Sequence, residues 1–183
     1  MTAEAPISLQ ANDFQLFDIP EQFKVDSALI SQRWKALQAQ THPDNFVAAD
    51  AATKRLAMQW SVRVNEAYQR LRLPISRGAY LSELRGAPIN AEDNTAMPAA
   101  FLMQQMAWRE ALDDAQGDLS ELEDLADQTR TVKGEWLSIA EQAFDRDGDT
   151  AVAVGAIRAL MFIERFSKDV NQQIDALTDA TNP

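Results

Sequence analysis

Apolar residues in this chain recur at helical spacing nearly from end to end, while the two-residue alternation of a half-buried strand is scarce. That periodicity predicts an all-α fold. A short helix fits Asn12 to Asp18, with Phe14 and Phe17 on one side and Pro20 closing it. Asp26 is a good N-cap for a second helix. Val25 and Ile30 have the spacing of a hydrophobic staple, and Ile30, Trp34 and Leu37 form one stripe. This helix must stop near His42, because Pro43 drives its predecessor out of the α region. A third helix fits roughly Asp50 to Arg72, with Leu56, Trp60, Val64, Ala67 and Leu71 on one face. A fourth, Ser76 to Leu84, stops at Gly86, a C-cap signal.

Residues 87–97 (APINAEDNTAM) have little periodicity and read as a linker, and residues 1–11 as a flexible N-terminus. Three longer helices follow. The first starts at Pro98 and runs to Gly117. The next opens where Ser120 and Glu123 have capping-box spacing. It carries Leu122, Leu125, Thr129, Val132, Trp136, Ile139 and Ala143 in steps of three and four, the seam of a bundle. DRDGDT at 145–150 breaks that helix, and the last one places Ala156, Leu160, Ile163, Val170, Ile174 and Leu177 on one face. The predicted organisation is an antiparallel helical hairpin with short flanking helices over 12–86 and a three-helix bundle over 98–178.

Composition narrows the chemistry. There is no cysteine and one histidine, which excludes disulfides, thiol nucleophiles and cysteine or two-histidine metal sites, and no cofactor is implied. Asp145, Asp147 and Asp149 around Gly148 suggest calcium, but glycine sits at the fourth loop position and Ala156 at the twelfth, where an EF-hand needs glycine sixth and glutamate twelfth. The expectation there is a helix-capping turn. No apolar run approaches the roughly 20 residues of a membrane span, and MTAEAPISLQA has neither the basic start nor the apolar stretch of a signal peptide, so a cytoplasmic location is expected. Residues 1–86 hold ten basic and nine acidic side chains, whereas 87–183 hold seven and nineteen. An acidic second half argues against nucleic acid or an anionic membrane as its partner, although acidity also simply favours solubility.

His42-Pro43-Asp44 lies between two amphipathic helices. A stiff, exposed turn offering one imidazole and one carboxylate can recognise a partner's arginine at low entropic cost, but the tripeptide alone is also ordinary turn chemistry. Its surroundings are informative: NDFQLFDIP opens the region, and NEAYQRLRLPISRGAYL at 65–81 follows the turn. Together these resemble the J domain of DnaJ-type cochaperones over residues 12–86. The resemblance implies that His42, Pro43 and Asp44 dock on an Hsp70 and stimulate ATP hydrolysis in the partner's active site. It also casts Arg33 and Lys35 as the positive face presented to acidic Hsp70 surfaces; singly, each also fits an ordinary solvated helix face. Gln32, Gln38 and Gln40 stand where more basic residues are typical, and Thr41 and Asn45 replace the usual aromatic and basic flanks, which weakens the expected steering.

The helix MPAAFLMQQMAWREALDDA has too many apolar residues for one stripe. At about 100° per residue, Phe101, Trp108, Leu112 and Ala115 fall together, while Leu102, Met103 and Met106 fall on another side near Arg109, Glu110 and Asp113. In the last helix Phe162 lies roughly opposite Leu160. Either this second patch binds a protein, or the bundle is splayed or covered by the first unit. AFLMQQMAWREALDD and IRALMFIERF after a J domain resemble the HscB family over most of residues 12–177. That resemblance implies an IscU-type iron–sulfur scaffold as client and an HscA-type Hsp70 as partner. It maps scaffold binding onto Leu102, Met103, Met106, Arg109, Glu110, Asp114 and Phe162. The alternative is the same mechanism serving another client. A small acid–base hydrolase using His42 and Asp44 is the rival from another class, and the lack of any evident nucleophile or oxyanion donor speaks against it.

Overall fold

A computed structural model describes residues 10–89, 97–115 and 117–181, and among them every regular element is helical. The chain divides into two compact units, residues 1–81 and 82–183. The predicted N-terminus 1–11 and linker 87–97 fall largely outside the described residues. The division itself runs through the fourth helix rather than after Gly86.

In the first unit, α1 (Asp13–Leu16) is a single turn. Asn12 Oδ1 accepts from the Gln15 N–H at 2.9 Å and the Gln15 side chain accepts from the Asn12 N–H at 3.2 Å, a reciprocal cap. The cap sends Phe14 and Phe17 into the core, as their spacing predicts, and takes Asp13 with them. α2 (Ser27–Thr41) is capped by Asp26 and α3 (Ala51–Arg72) by Asp50. They run antiparallel: the Trp34 indole stacks on Tyr68 with centroids 4.7 Å apart, and Trp34 Nε1 and Gln38 Nε2 both donate to Asn65 Oδ1, at 3.0 and 2.5 Å.

Two expectations need correction here. The buried stripe of α3 runs Ala57, Val64, Ala67 and Leu71, and Leu56 is exposed, because the helix's rotation brings Ala57 to the hairpin seam. α4 (Pro74–Leu84) starts at Pro74 rather than Ser76. A proline has no N–H to lose at a first helical position. Buried Arg77 then donates to Leu71 O at 2.5 Å and Phe23 O at 2.7 Å, tying the end of α3 to the loop before α2.

The second unit contains α5 (Ala99–Asp114), α6 (Leu119–Gln142) and α7 (Thr150–Thr181). Phe101, Trp108, Leu112 and Ala115 are buried with Leu122, Leu125, Ile163, Phe166 and Val170 in one core. Met97, read as the end of the linker, belongs to that core. The cap of α6 is Asp118, not Ser120: its Oδ1 accepts from the Ser120 and Glu121 N–H groups at 2.9 and 3.2 Å. Toward the end of α6 the seam passes through Ala140, which is fully buried, and leaves Ile139 exposed. A straight helix drifts about 20° per heptad against a 3.5-residue repeat, so over the roughly two and a half heptads from Leu122 the drift reaches about 50°, half the step between neighbouring residues. A π-helical turn at Ala143–Asp147 and left-handed Gly148 (φ 67°) end the helix. Asp149 Oδ1 accepts from the Val152 N–H at 3.0 Å, so the acidic loop caps α7 as expected.

Candidate functional site: an exposed turn and a second apolar face

The turn is built by a change of helix type. α2 ends at Thr41, His42 takes an extended conformation (φ −61°, ψ 127°), and Pro43–Phe46 forms one 3-10 turn before α3 begins. Asn45 Nδ2 reaches back to Ala39 O at 2.8 Å, and the Asn45 N–H donates to His42 O at 3.0 Å. The residue that departs from the expected basic flank therefore satisfies a carbonyl at the end of α2. The His42 and Asp44 side chains are 51% and 84% exposed, with Nδ1 and Oδ2 3.6 Å apart. The Asp44 N–H donates to His42 Nδ1 at 3.3 Å, which makes Nδ1 an acceptor and leaves Nε2 to carry the proton in the neutral ring. The turn thus offers one donor and one carboxylate on a braced backbone. Beside it lies a groove of about 310 Å³ lined by Leu37, Thr41, Phe46, Thr53, Leu56 and Trp60, which accounts for the exposure of Leu56.

On α2, Lys35 is exposed. Arg33 is engaged: its Nη2 lies 2.7 Å from Asp18 Oδ2, and Asp18 sits in the left-handed region at φ 49°. One of the two cations expected to steer a partner is therefore partly neutralised within the unit.

The second surface lies on α5 and α7. Leu102, Met103 and Met106 are all exposed, Met103 at 71%. Arg109, Glu110 and Asp114 continue the exposed face of α5 toward its C-terminus. Steps of three and four residues make these side chains neighbours on the helix surface. Phe162 differs from the others. It is half-buried, with its ring edge-on to Phe101 at 5.9 Å and stacked on Phe166 at 6.1 Å. Arg109 lies over the same ring, Cζ 5.7 Å from the centroid, so the aromatic joins the core to the exposed face. The bundle is not splayed: Phe101 packs edge-on against Trp136 at 5.2 Å and Trp108 stacks on Phe166 at 5.5 Å, so the core face of α5 is covered and the other is not. Arg158 and Arg165, at the start and near the end of the IRALMFIERF segment, escape notice in the sequence, and both line a cavity against Phe162. Their seven-residue spacing across Phe162 is the signal that identifies them.

No three acidic or histidine side chains among the described residues are grouped to hold a metal ion, and no helix there is long and apolar enough to cross a membrane.

Comparison with known proteins places the chain in a family. Residues 97–171 match the family model described as the HSCB C-terminal oligomerisation domain. A co-chaperone protein HscB homolog of Burkholderia thailandensis is 45% identical over 173 residues, covering 93% of this chain and 98% of the relative. One from Ralstonia nicotianae is 45% identical over 168 residues, covering 91% and 96%. Among solved structures, the chaperone HscB from Vibrio cholerae superposes with a TM-score of 0.81 at 30% identity, over 91% of this chain and 99% of that one. Human co-chaperone protein HscB gives 0.84 at 25% identity, over 93% and 84%.

Proposed function

This chain belongs to the HscB co-chaperone family, and on that premise we propose that it carries an IscU-type iron–sulfur scaffold to an HscA-type Hsp70 and stimulates that partner's ATPase. The observation that carries the proposal is the exposed, braced turn at 42–44, with the His42 and Asp44 side chains 51% and 84% accessible. His42, Pro43 and Asp44 engage the Hsp70, with Lys35 adding long-range attraction and Arg33 a weaker share because Asp18 already holds it. The chain itself performs no chemistry in this scheme. The ATPase site belongs to the partner.

The client role falls to Leu102, Met103, Met106, Arg109, Glu110, Asp114 and Phe162. Exposed methionines adapt to a partner's surface, and the half-buried Phe162 supplies a rigid anchor that loses little entropy on binding. Carrying both surfaces on one chain converts the meeting of Hsp70 and client into an intramolecular event, with an effective concentration on the order of millimolar for a short connection. An iron–sulfur scaffold is favoured over another client by the family relationship.

Steady-state ATP hydrolysis by the cognate Hsp70 tests the reading. Adding this protein should accelerate turnover, adding the scaffold as well should accelerate it further, and His42→Gln should abolish both effects. Acceleration that survives His42→Gln, or none with the native chain, refutes it.

A further inference from the structure

The second half of the chain is acidic, yet four of its seven basic residues converge on one strip. Arg130, Lys133 and Arg146 are ion-paired with Asp127, Glu164 and Glu141. Arg109, Arg158, Arg165 and Lys168 make no ion pair among the described residues. Arg158, Arg165 and Lys168 follow one another on α7 at steps of seven and three, and Arg109 reaches the strip from α5 over the Phe162 ring. Unpaired cations gathered in a region of surplus carboxylates are unexpected for solubility alone, since scattering them into salt bridges is the less repulsive arrangement.

Two of these cations, Arg158 and Arg165, line a cavity of about 370 Å³. Its apolar wall is Ile89, Met97, Met161 and Phe162, and its polar groups are Gln105, Arg158 and Arg165. Arg158 Nε is buried with no hydrogen-bond acceptor among the described residues, so the guanidinium that lines the cavity is not held by an acceptor there. Charged nitrogens supply donors only, so the entering group must be an acceptor. The greasy wall and the surrounding negative charge disfavour a polyphosphate or a nucleic acid. A single carboxylate on an aliphatic stem, with an apolar neighbour, fits both halves of the pocket.

We propose that this cavity receives an aspartate or glutamate of the client protein, flanked by an apolar residue, and that Arg158 and Arg165 are specificity determinants for a client with an acidic edge. The idea rests on the client-binding reading above. It adds a recognition element beyond the α5 patch: the client's apolar surface meets Leu102, Met103 and Met106, while its carboxylate enters on the far side of Phe162, between the two guanidiniums.

The test is equilibrium binding of the purified cognate IscU-type scaffold to the full chain at low and high salt. Arg158→Gln with Arg165→Gln should weaken binding by about ten- to hundredfold, the loss expected for charge-assisted hydrogen bonds, and should flatten its salt dependence. The melting temperature of the free protein should not move, and Lys133→Gln should bind like the native chain. A charge-reversed Arg165→Glu should be rescued by a lysine at one of the scaffold's surface carboxylates. Native affinity in the double variant overturns the proposal. So does a loss of affinity that tracks a lowered melting temperature, which would mean the cations serve carboxylates of this chain. If Met103→Ala weakens binding while the arginine variant does not, this proposal alone fails. If the native chain does not bind the scaffold at all, the client reading fails and takes this one with it.

Discussion

Asp13→Asn is the substitution whose cost the structure defines most sharply. The Asp13 side chain is completely buried, with Oδ1 2.6 Å from Arg63 Nη1 and Oδ2 2.9 Å from Arg70 Nη1. Arg70 lies over the Tyr80 ring at 4.6 Å, Tyr80 stacks on Phe14, and the Tyr80 hydroxyl accepts from the Asp13 N–H at 3.0 Å. Asparagine keeps the volume and removes the charge. Breaking a buried pair by deleting one partner costs about 3–5 kcal/mol when the other charge is stranded. Here the stranded guanidiniums are 21% and 42% exposed and regain water, so the loss should fall to about 2–3 kcal/mol. For a unit of this size that corresponds to roughly 10–20 °C in melting temperature. Urea unfolding followed by amide hydrogen exchange in α1–α3 reads the effect where it acts. A loss below about 1 kcal/mol would refute the reasoning, since a surface ion pair contributes about that much at most.

Two further outcomes follow from single side chains. Asp50 caps α3, and its pKa is lowered below the usual 3.8 by hydrogen bonds from the Thr53 N–H, then the Thr53 hydroxyl and the Ala52 N–H. A depressed carboxyl stabilises the fold fully above the unfolded value and loses that contribution as pH falls through the folded one. Its carboxyl resonance should therefore titrate with a midpoint under 3.8, and Asp50→Asn should remove this part of the acid sensitivity while keeping a cap. Ile163 is fully buried in the core of the bundle, so Ile163→Ala should destabilise the bundle by about 2–5 kcal/mol in chemical denaturation, through lost transfer energy and the cavity left behind.

Separating stability from function is practical because the residues involved do not overlap. His42, Asp44, Met103 and Met106 are exposed, and their replacement leaves no cavity. Phe162 is the exception. It packs on Phe101 and Phe166, so its alanine variant mixes lost packing with lost binding, and the methionines give the cleaner readout.

Helix positions, the all-α class and the capping aspartate at 26 were legible in the sequence, because they depend on local spacing and on which side chains reach their own backbone. The tripeptide at 42–44 was legible for the same reason: a proline drives the residue before it out of the α region and so ends the preceding helix. Tertiary structure alone decided which of two adjacent residues takes a seam position, as with Ala57 over Leu56 and Ala140 over Ile139. Each choice turns on a rotation smaller than the angle between neighbouring side chains, and only the packed partner helix fixes it. The same holds for pairs distant in sequence. That Arg33 is held by Asp18, that Asp13 is buried between two arginines, and that Arg109 meets Phe162 all depend on which helices touch. Local sequence sets the elements, and packing sets which of their charges remain available to a partner.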